Sequence, residues 1–306
     1  MSWPSKTTGG KMASFKKLPT DFIGSQYEGG VKVILESEED VRIFCDHWFA
    51  DRQDKIRFES AEEGALGGGG CSAVIRKVQQ ARNQQLIAFG IIDRDVLLAD
   101  EKPEIFWETD DRRFDSATPY GDRIHVLRRW ELENYLLKPE AFSAELACRV
   151  SRPPSPKVSS EFLLDLEDDL VDVTALTTFM VSKGKKSPKP GFGQDDSGKK
   201  LRDAIESHLS NVIPDTDYSH LSSDIDKIRA FSVSEQEFDK RWERLTRLVD
   251  GKKALSRICD YLNHKFNIKS LCPWKEMRGC LADKIASRKV IDDELLKVIE
   301  DFATAI

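Results

Sequence analysis

In the first part of the chain, apolar residues fall into short runs separated by amphipathic stretches. Val31–Leu35 is β-rich and apolar throughout except at Lys32, a pattern that predicts a buried strand. Over residues 38–51, Val41, Phe44, Cys45, Trp48 and Phe49 recur at helical spacing. Acids crowd the first turn of that segment, where the helix dipole favours them. Ile56–Ser60 predicts a second strand. After the glycine run 67–70, Ser72 is the expected N-cap of a helix reaching Asn83, with Val74, Ile75 and Val78 facing inward. Residues 86–92 form the most apolar segment and predict a third strand; residues 124–127 predict a fourth. Strand, helix, strand, helix, strand is the alternation that builds a parallel sheet covered on both faces, so the fold class read from the pattern is α/β. Residues 96–122 are polar and irregular and read as a surface insertion with some short structure.

Beyond Leu127 the apolar period becomes helical. Helices are expected over residues 140–149, from a cap at Ser159 or Ser160 through Leu163, Leu166, Leu170 and Val173, over 201–213, as one helix over 231–249, and over 254–266, 274–286 and 292–303. Residues 152–156 are a Pro-rich break, and 182–200 are a loop rich in Lys, Gly, Pro and Ser. The expected organisation is a flexible leader over 1–25, a catalytic α/β domain over 26–150, and a mainly α-helical region over 151–306 serving dimerisation, partner binding or substrate binding.

Composition narrows the classes. The 306 residues are 40% hydrophobic and 33% charged, and no apolar stretch approaches the roughly 18 residues of a membrane span. Residues 1–17 lack the apolar core of a secretory signal. The six cysteines are scattered with no Cys-x-x-Cys pair, which argues against zinc knuckles and a disulfide framework and for a reducing cytoplasm. A net charge of −6 argues against a protein coated for bulk nucleic-acid binding, while leaving room for a local basic groove.

The candidate chemistry lies where the predicted strands end. The first strand runs into Glu36, with Asp40 four residues on; the third runs into Asp93-Arg94-Asp95. Ligands of open parallel sheets collect outside the carboxyl ends of the strands. Carboxylates gathered there suit Mg²⁺, and Mg²⁺ suits phosphoryl chemistry. Taken singly, Glu36 and Asp40 also read as ordinary helix-capping acids. Asp93 and Asp95 repel each other unless a cation lies between them; Arg94 is the alternative partner, in a structural salt bridge. A further acid, Glu133, follows the fourth strand. The lysines Lys183, Lys185, Lys186 and Lys189, extended by Lys199 and Lys200, offer a surface for a nucleic-acid backbone. The glycine run is no phosphate-binding P-loop, since no Gly-Lys-Ser/Thr follows it. None of the five histidines has metal spacing, and His125 reads as a satisfied core residue.

These motifs together resemble the TOPRIM domain, the acidic Mg²⁺ module of topoisomerases, primases and OLD-type nucleases. Glu36 and Asp40 stand where the family has a glutamate at the end of its first strand and an acid four residues on. Asp93 and Asp95 match its Asp-x-Asp, and residues 133–137 match the Glu-Asn-Tyr-Leu-Leu segment of the OLD-like branch. Gly251-Lys252 is the candidate for that branch's downstream Gly-Lys. Two departures stand out: Ser37 replaces a common glycine, and Leu97 replaces a third acid. The resemblance implies a TOPRIM-like parallel sheet flanked by helices, over about residues 31–137, with a helical C-terminal region. It implies a metal-dependent nuclease with Glu36, Asp93 and Asp95 holding Mg²⁺ (or Mn²⁺), Asp40 and Glu133 holding a second ion, and Lys252 assisting catalysis. Length and layout look most like a toxic effector of anti-phage defence. That implies cleavage of RNA (transfer RNA, rather than DNA), restraint by an ABC-type ATPase partner, a homodimer when active, and a cytoplasmic location.

Two other readings remain open at this point. A phosphatase of the haloacid dehalogenase type would use Asp93 as nucleophile and Asp95 as acid/base, but it would leave Glu36 unexplained and lacks its later Gly-Asp-x-x-x-Asp. A non-catalytic interaction module would keep the fold and act by binding alone.

Overall fold

The computed structural model describes residues 30–62, 70–149, 157–214, 217–268 and 274–305. The expected leader, three of the four clustered glycines (67–69) and the Pro-rich break lie outside them. The chain opens with β1 (Val31–Leu35), α1 (Glu38–Arg42), β2 (Ile56–Ser60), α2 (Cys71–Asn83) and β3 (Ala88–Ile92). Three short helices follow, α3 (Val96–Ala99), α4 (Pro103–Phe106) and α5 (Asp111–Ala117), and then β4 (Ile124–Val126). The remainder is helical: α6 (Leu132–Leu136), α7 (Pro139–Arg149), α8 (Ser160–Leu164), α9 (Glu167–Ser182), α10 (Lys199–Val212), α11 (Ser219–Val233), α12 (Phe238–Leu248), α13 (Gly251–Phe266), α14 (Trp274–Arg288) and α15 (Asp293–Ala303).

The four strands pair in the order β2-β1-β3-β4, and every pairing is parallel. All four carboxyl ends therefore lie on one edge, with the ends of β1 and β3 side by side. Alternation along each strand divides the core. Val31, Val33, Leu35, Phe89 and Ile91 pack on one face with Phe44, Trp48 and, from the far end of the chain, Leu295, Ile299 and Phe302. Ile34 and Ile92 pack on the other with Val74, Val78, Phe106, Phe114 and Trp130. The rings of Phe89 and Phe302 stack 4.2 Å apart, so the last helix closes the first face. Gly90 is needed where α2 crosses β3: a Cβ there would stand 2.6 Å from Val74 and 2.9 Å from Ile124.

The departures from the expected elements have local causes. The helix expected over 38–51 is α1 followed by a wider π-helical turn, Ile43–Trp48, and a 3-10 turn, Ala50–Arg52. The Phe49 N–H donates to the Phe44 carbonyl at 2.8 Å, keeping both rings against the core 5.6 Å apart. Gly70 (φ 92°), rather than Ser72, is the N-cap of α2, a conformation that suits glycine. The third strand starts two residues late because the Leu86 N–H donates back to the Ala81 carbonyl at 3.0 Å. The single helix expected over 231–249 is interrupted between α11 and α12, where the Ser234 hydroxyl donates to the Phe231 carbonyl at 2.7 Å, a local bond that competes with helix continuation. Most of α11 lies between the helices expected over 201–213 and 231–249.

Among the described residues no helix is long and apolar enough to cross a membrane, and none of the described cysteines forms a disulfide.

Candidate active site

Glu36 is the first residue beyond β1, and Asp93 the first beyond β3. Because these strands are neighbours, the two residues meet: the Asp93 N–H donates to Glu36 Oε1 at 3.0 Å. Asp93 Oδ1 accepts from the Leu132 N–H at 3.2 Å, which draws the segment after β4 to the same point. Asp95, at the start of α3, is close enough for its charge to act on Glu36. Ser37, at the position where glycine is common, has a structural task. Its hydroxyl accepts from the Asp40 N–H while Asp40 Oδ2 accepts from the Ser37 N–H, each at 3.1 Å, a capping box that starts α1.

The Glu-Asn-Tyr-Leu-Leu segment brings in the lysine. Asn134 Oδ1 accepts from the Glu131 N–H at 2.9 Å, and its Nδ2 donates to the Thr246 and Val249 carbonyls at 2.7 and 2.8 Å. These bonds dock the start of α13 against α6. The contact is so close that a Cβ on Gly251 would lie 2.3 Å from Asn134 Oδ1 and 3.0 Å from its backbone nitrogen. Lys252 then points into the acids: Nζ is 2.5 Å from Glu131 Oε2, 3.8 Å from Glu133 Oε2 and 3.9 Å from Asp93 Oδ2. Gly251→Ala is accordingly expected to push α13 off α6, lowering stability by about 1–3 kcal/mol and moving Lys252 away; thermal denaturation alongside activity checks it.

Arg94 does not pair with the flanking aspartates. Its fully buried guanidinium turns away and donates to the carbonyls of Phe106, Glu108 and Arg128, with the Phe114 ring 4.4 Å from Cζ. The Arg94 salt-bridge alternative is thereby overturned, and Asp93 and Asp95 are left to Lys252 among the cations that act on them.

Two site residues were not foreseen. Glu131, 3% exposed, accepts from both the backbone and the ammonium of Lys252. Its only sequence signal is the Glu-x-Glu spacing with Glu133. Arg278 reaches in from α14, 2.6 Å from Glu39 Oε2, 2.5 Å from Asp40 Oδ1 and 3.3 Å from Glu133 Oε1. Nothing local in its sequence announces this.

The electrostatics are those of acids crowded out of water. Burial pushes the Glu36 carboxyl up to about 7, with Asp95 and Asp40 adding to the rise and the Asp93 N–H and Lys252 opposing it. Burial also holds Asp93 well above the usual carboxylate range, reinforced by Glu36. Asp95 is raised by burial, and Glu131 is raised to about 8 by burial against the pull of Lys252. For Lys252, burial is outweighed by Glu131, Glu133, Asp93 and Asp95, which hold its charge firmly.

Such a set fits a hard divalent cation: every donor is a carboxylate oxygen, and the charges repel in want of one. Among the described residues no three of these acids bring ligand atoms within 4.8 Å of one another; they stand apart around the ammonium, so a cation would draw them in. Lys252 keeps 37% of its side-chain surface exposed and has room to swing aside. The group that does meet this spacing, Asp195, Asp260 and His264, lies elsewhere, with Asp195 and His264 exposed. His125 is satisfied by Glu294, 2.8 Å away.

The loop lysines form a separate surface. Lys185, Lys186 and Lys189 line a cavity of about 940 Å³ with Pro188, Phe192 and His208. Lys183 lies 5.5 Å from the Phe179 ring, outside that lining, and Lys199 and Lys200 begin α10. The cavity loop is tied to α13, since Ser187 Oγ accepts from Lys253 Nζ at 2.7 Å, one residue beyond Lys252.

In comparisons with protein-family models, curated proteins and solved structures, nothing matches this chain.

Proposed function

We propose that the chain is a metal-dependent nuclease that hydrolyses nucleic-acid phosphodiesters with a TOPRIM-like acidic centre. The observation that carries the reading is the meeting of Glu36 with Asp93 at the carboxyl edge of the sheet, with Lys252 among the surrounding acids. In this reading Glu36, Asp93 and Asp95 hold Mg²⁺ (Mn²⁺ would substitute). The ion, when bound, polarises a phosphate oxygen and steadies the leaving group. Where Glu36 does not ligate the ion, it is the residue placed to take a proton from the attacking water. Lys252 offsets negative charge developing on the phosphate. The lysine-lined cavity receives the strand's backbone.

The length and domain layout look most like AriB, the TOPRIM effector of the PARIS anti-phage system. That resemblance implies transfer RNA as substrate, an ABC-type ATPase that restrains the nuclease until a phage trigger arrives, and a homodimer once released.

Incubation with labelled transfer RNA, single-stranded RNA, plasmid and a phosphate monoester, each with Mg²⁺, tests the reading. Polynucleotide cleavage that disappears in Glu36→Ala and Asp93→Ala supports it. Monoester turnover that survives Glu36→Ala replaces it with the phosphatase. In the Asp93→Ala background, Lys185→Glu/Lys186→Glu/Lys189→Glu is expected to weaken single-stranded RNA binding at least about tenfold and to flatten the log–log salt slope by about 2. Titration at several salt concentrations reads both.

A further inference from the structure

The centre has two acidic halves, and they are furnished differently. Glu36, Asp93 and Asp95 face Lys252, a partly exposed side chain. Asp40 and Glu133 face Arg278, a side chain only 8% exposed. Arg278 arrives from α14, far along the chain, and its three nitrogens address three different carboxylates: Nη1 meets Glu39, Nη2 meets Asp40 and Nε meets Glu133.

We propose that Arg278 is the built-in second cation of this centre, holding the place between Asp40 and Glu133 that a second divalent ion would require, so that the protein binds a single ion. This rests on the metal-dependent reading above and deepens it. Both Asp40 oxygens are engaged, while Glu133 is held by longer ion-pair contacts, its Oε1 and Arg278 Nε making no hydrogen bond. Asp40 Oδ1 meets Arg278, and Asp40 Oδ2 accepts from the Ser37 N–H at 3.1 Å in the capping box of α1. Glu133 Oε1 is 3.3 Å from Arg278, and Oε2 is 3.8 Å from Lys252.

A Mg²⁺ ion needs oxygens at about 2.0–2.1 Å and keeps several waters. An ion on Asp40 Oδ1 would be repelled by the positive guanidinium, whose nitrogen stands 2.5 Å from the same atom. Expelling the guanidinium would strip it of its three carboxylate partners. Glu39, Asp40 and Glu133 hold that charge in place, and their attraction outweighs its burial. Guanidinium has a fixed planar fork, so Arg278 also fixes the rotamers of Asp40 and Glu133. Arg278 is thus a positioning residue: it organises the acids behind the single ion, while Lys252 supplies a partly exposed positive charge on the other side.

Counting bound Mn²⁺ by titration calorimetry and electron paramagnetic resonance tests this. The full chain carrying His264→Ala is used, which removes the surface Asp195/Asp260/His264 group from the count. One ion is expected with Arg278 present, two in Arg278→Ala, and one again in Arg278→Lys, which restores a positive charge. Two ions with Arg278 present would overturn the proposal and leave the metal-dependent reading standing. No ion would overturn both. A single ion in a folded Arg278→Ala protein would reduce Arg278 to a structural bridge and overturn the proposal. If Arg278→Ala does not fold, Arg278→Gln, neutral and close in length, decides: two ions are expected, and one would overturn the proposal.

Discussion

Asp93→Asn is expected to cut cleavage by at least about 10³-fold, on the order of 4 kcal/mol of transition-state stabilisation, and at the same time to raise the melting temperature of the cation-free protein at alkaline pH. The two effects share one cause. Asp93 is pressed into a site where burial, Glu36 and Asp95 all work against its charge. In the cation-free protein that charge is a cost, and the isosteric amide relieves it while still accepting the Leu132 N–H. The gain is about 1 kcal/mol, or roughly 1.5 °C for a chain of 306 residues. With cation present the charge is what binds, so the variant loses both activity and any thermal response to Mg²⁺. A variant that lost activity and stability together would mark Asp93 as an ordinary structural acid.

The second large effect is on stability against pH. Glu36 has a folded-state pKa of about 7, raised from 4.5 chiefly by burial. Between those values the folded state holds a proton that the unfolded chain has released. Stability therefore falls as pH rises through that window and is fully present only below it. The loss from Glu36 is on the order of 3 kcal/mol; Asp93, Asp95 and Glu131 shift in the same direction and add to it. Mg²⁺ competes with the proton, so its stabilisation is expected to be small at about pH 5 and to reach about 2–3 kcal/mol near pH 8 at roughly 100 times its dissociation constant. Thermal melts in chelator and in Mg²⁺ across this range read the effect. Stability that climbs from pH 5 to 8 and ignores Mg²⁺ would contradict it.

Much of this was legible in the sequence because it depends on local rules. β1 announces itself by an apolar run that is buried almost throughout, and β2, the edge strand, by alternation of Ile56 and Phe58 with exposed Arg57; both have the expected bounds. Glu36 and Asp93 were legible because a parallel sheet brings the ends of neighbouring strands together, whatever lies between them in sequence. Other features depend on where side chains travel. Arg94 sits between two aspartates in sequence, yet the turn after β3 sends it away from them, into backbone carbonyls. Arg278 lies in a helix whose sequence shows no sign of the three acids it meets. Glu131 looks like a surface acid until Lys252 folds over it. Gly251 shows the two levels joined: the Gly-Lys pair was visible, but the reason for the glycine is the close approach to Asn134.

The most direct test of the account is a crystal of the full chain soaked in Mn²⁺ and measured for anomalous scattering. The account predicts one strong peak at the carboxyl edge of the sheet, with oxygens of Glu36, Asp93 and Asp95 about 2.0–2.3 Å away, Lys252 turned aside and Arg278 still on Asp40 and Glu133. A peak only at Asp195, Asp260 and His264, or none near Asp93 at saturating ion, would contradict it.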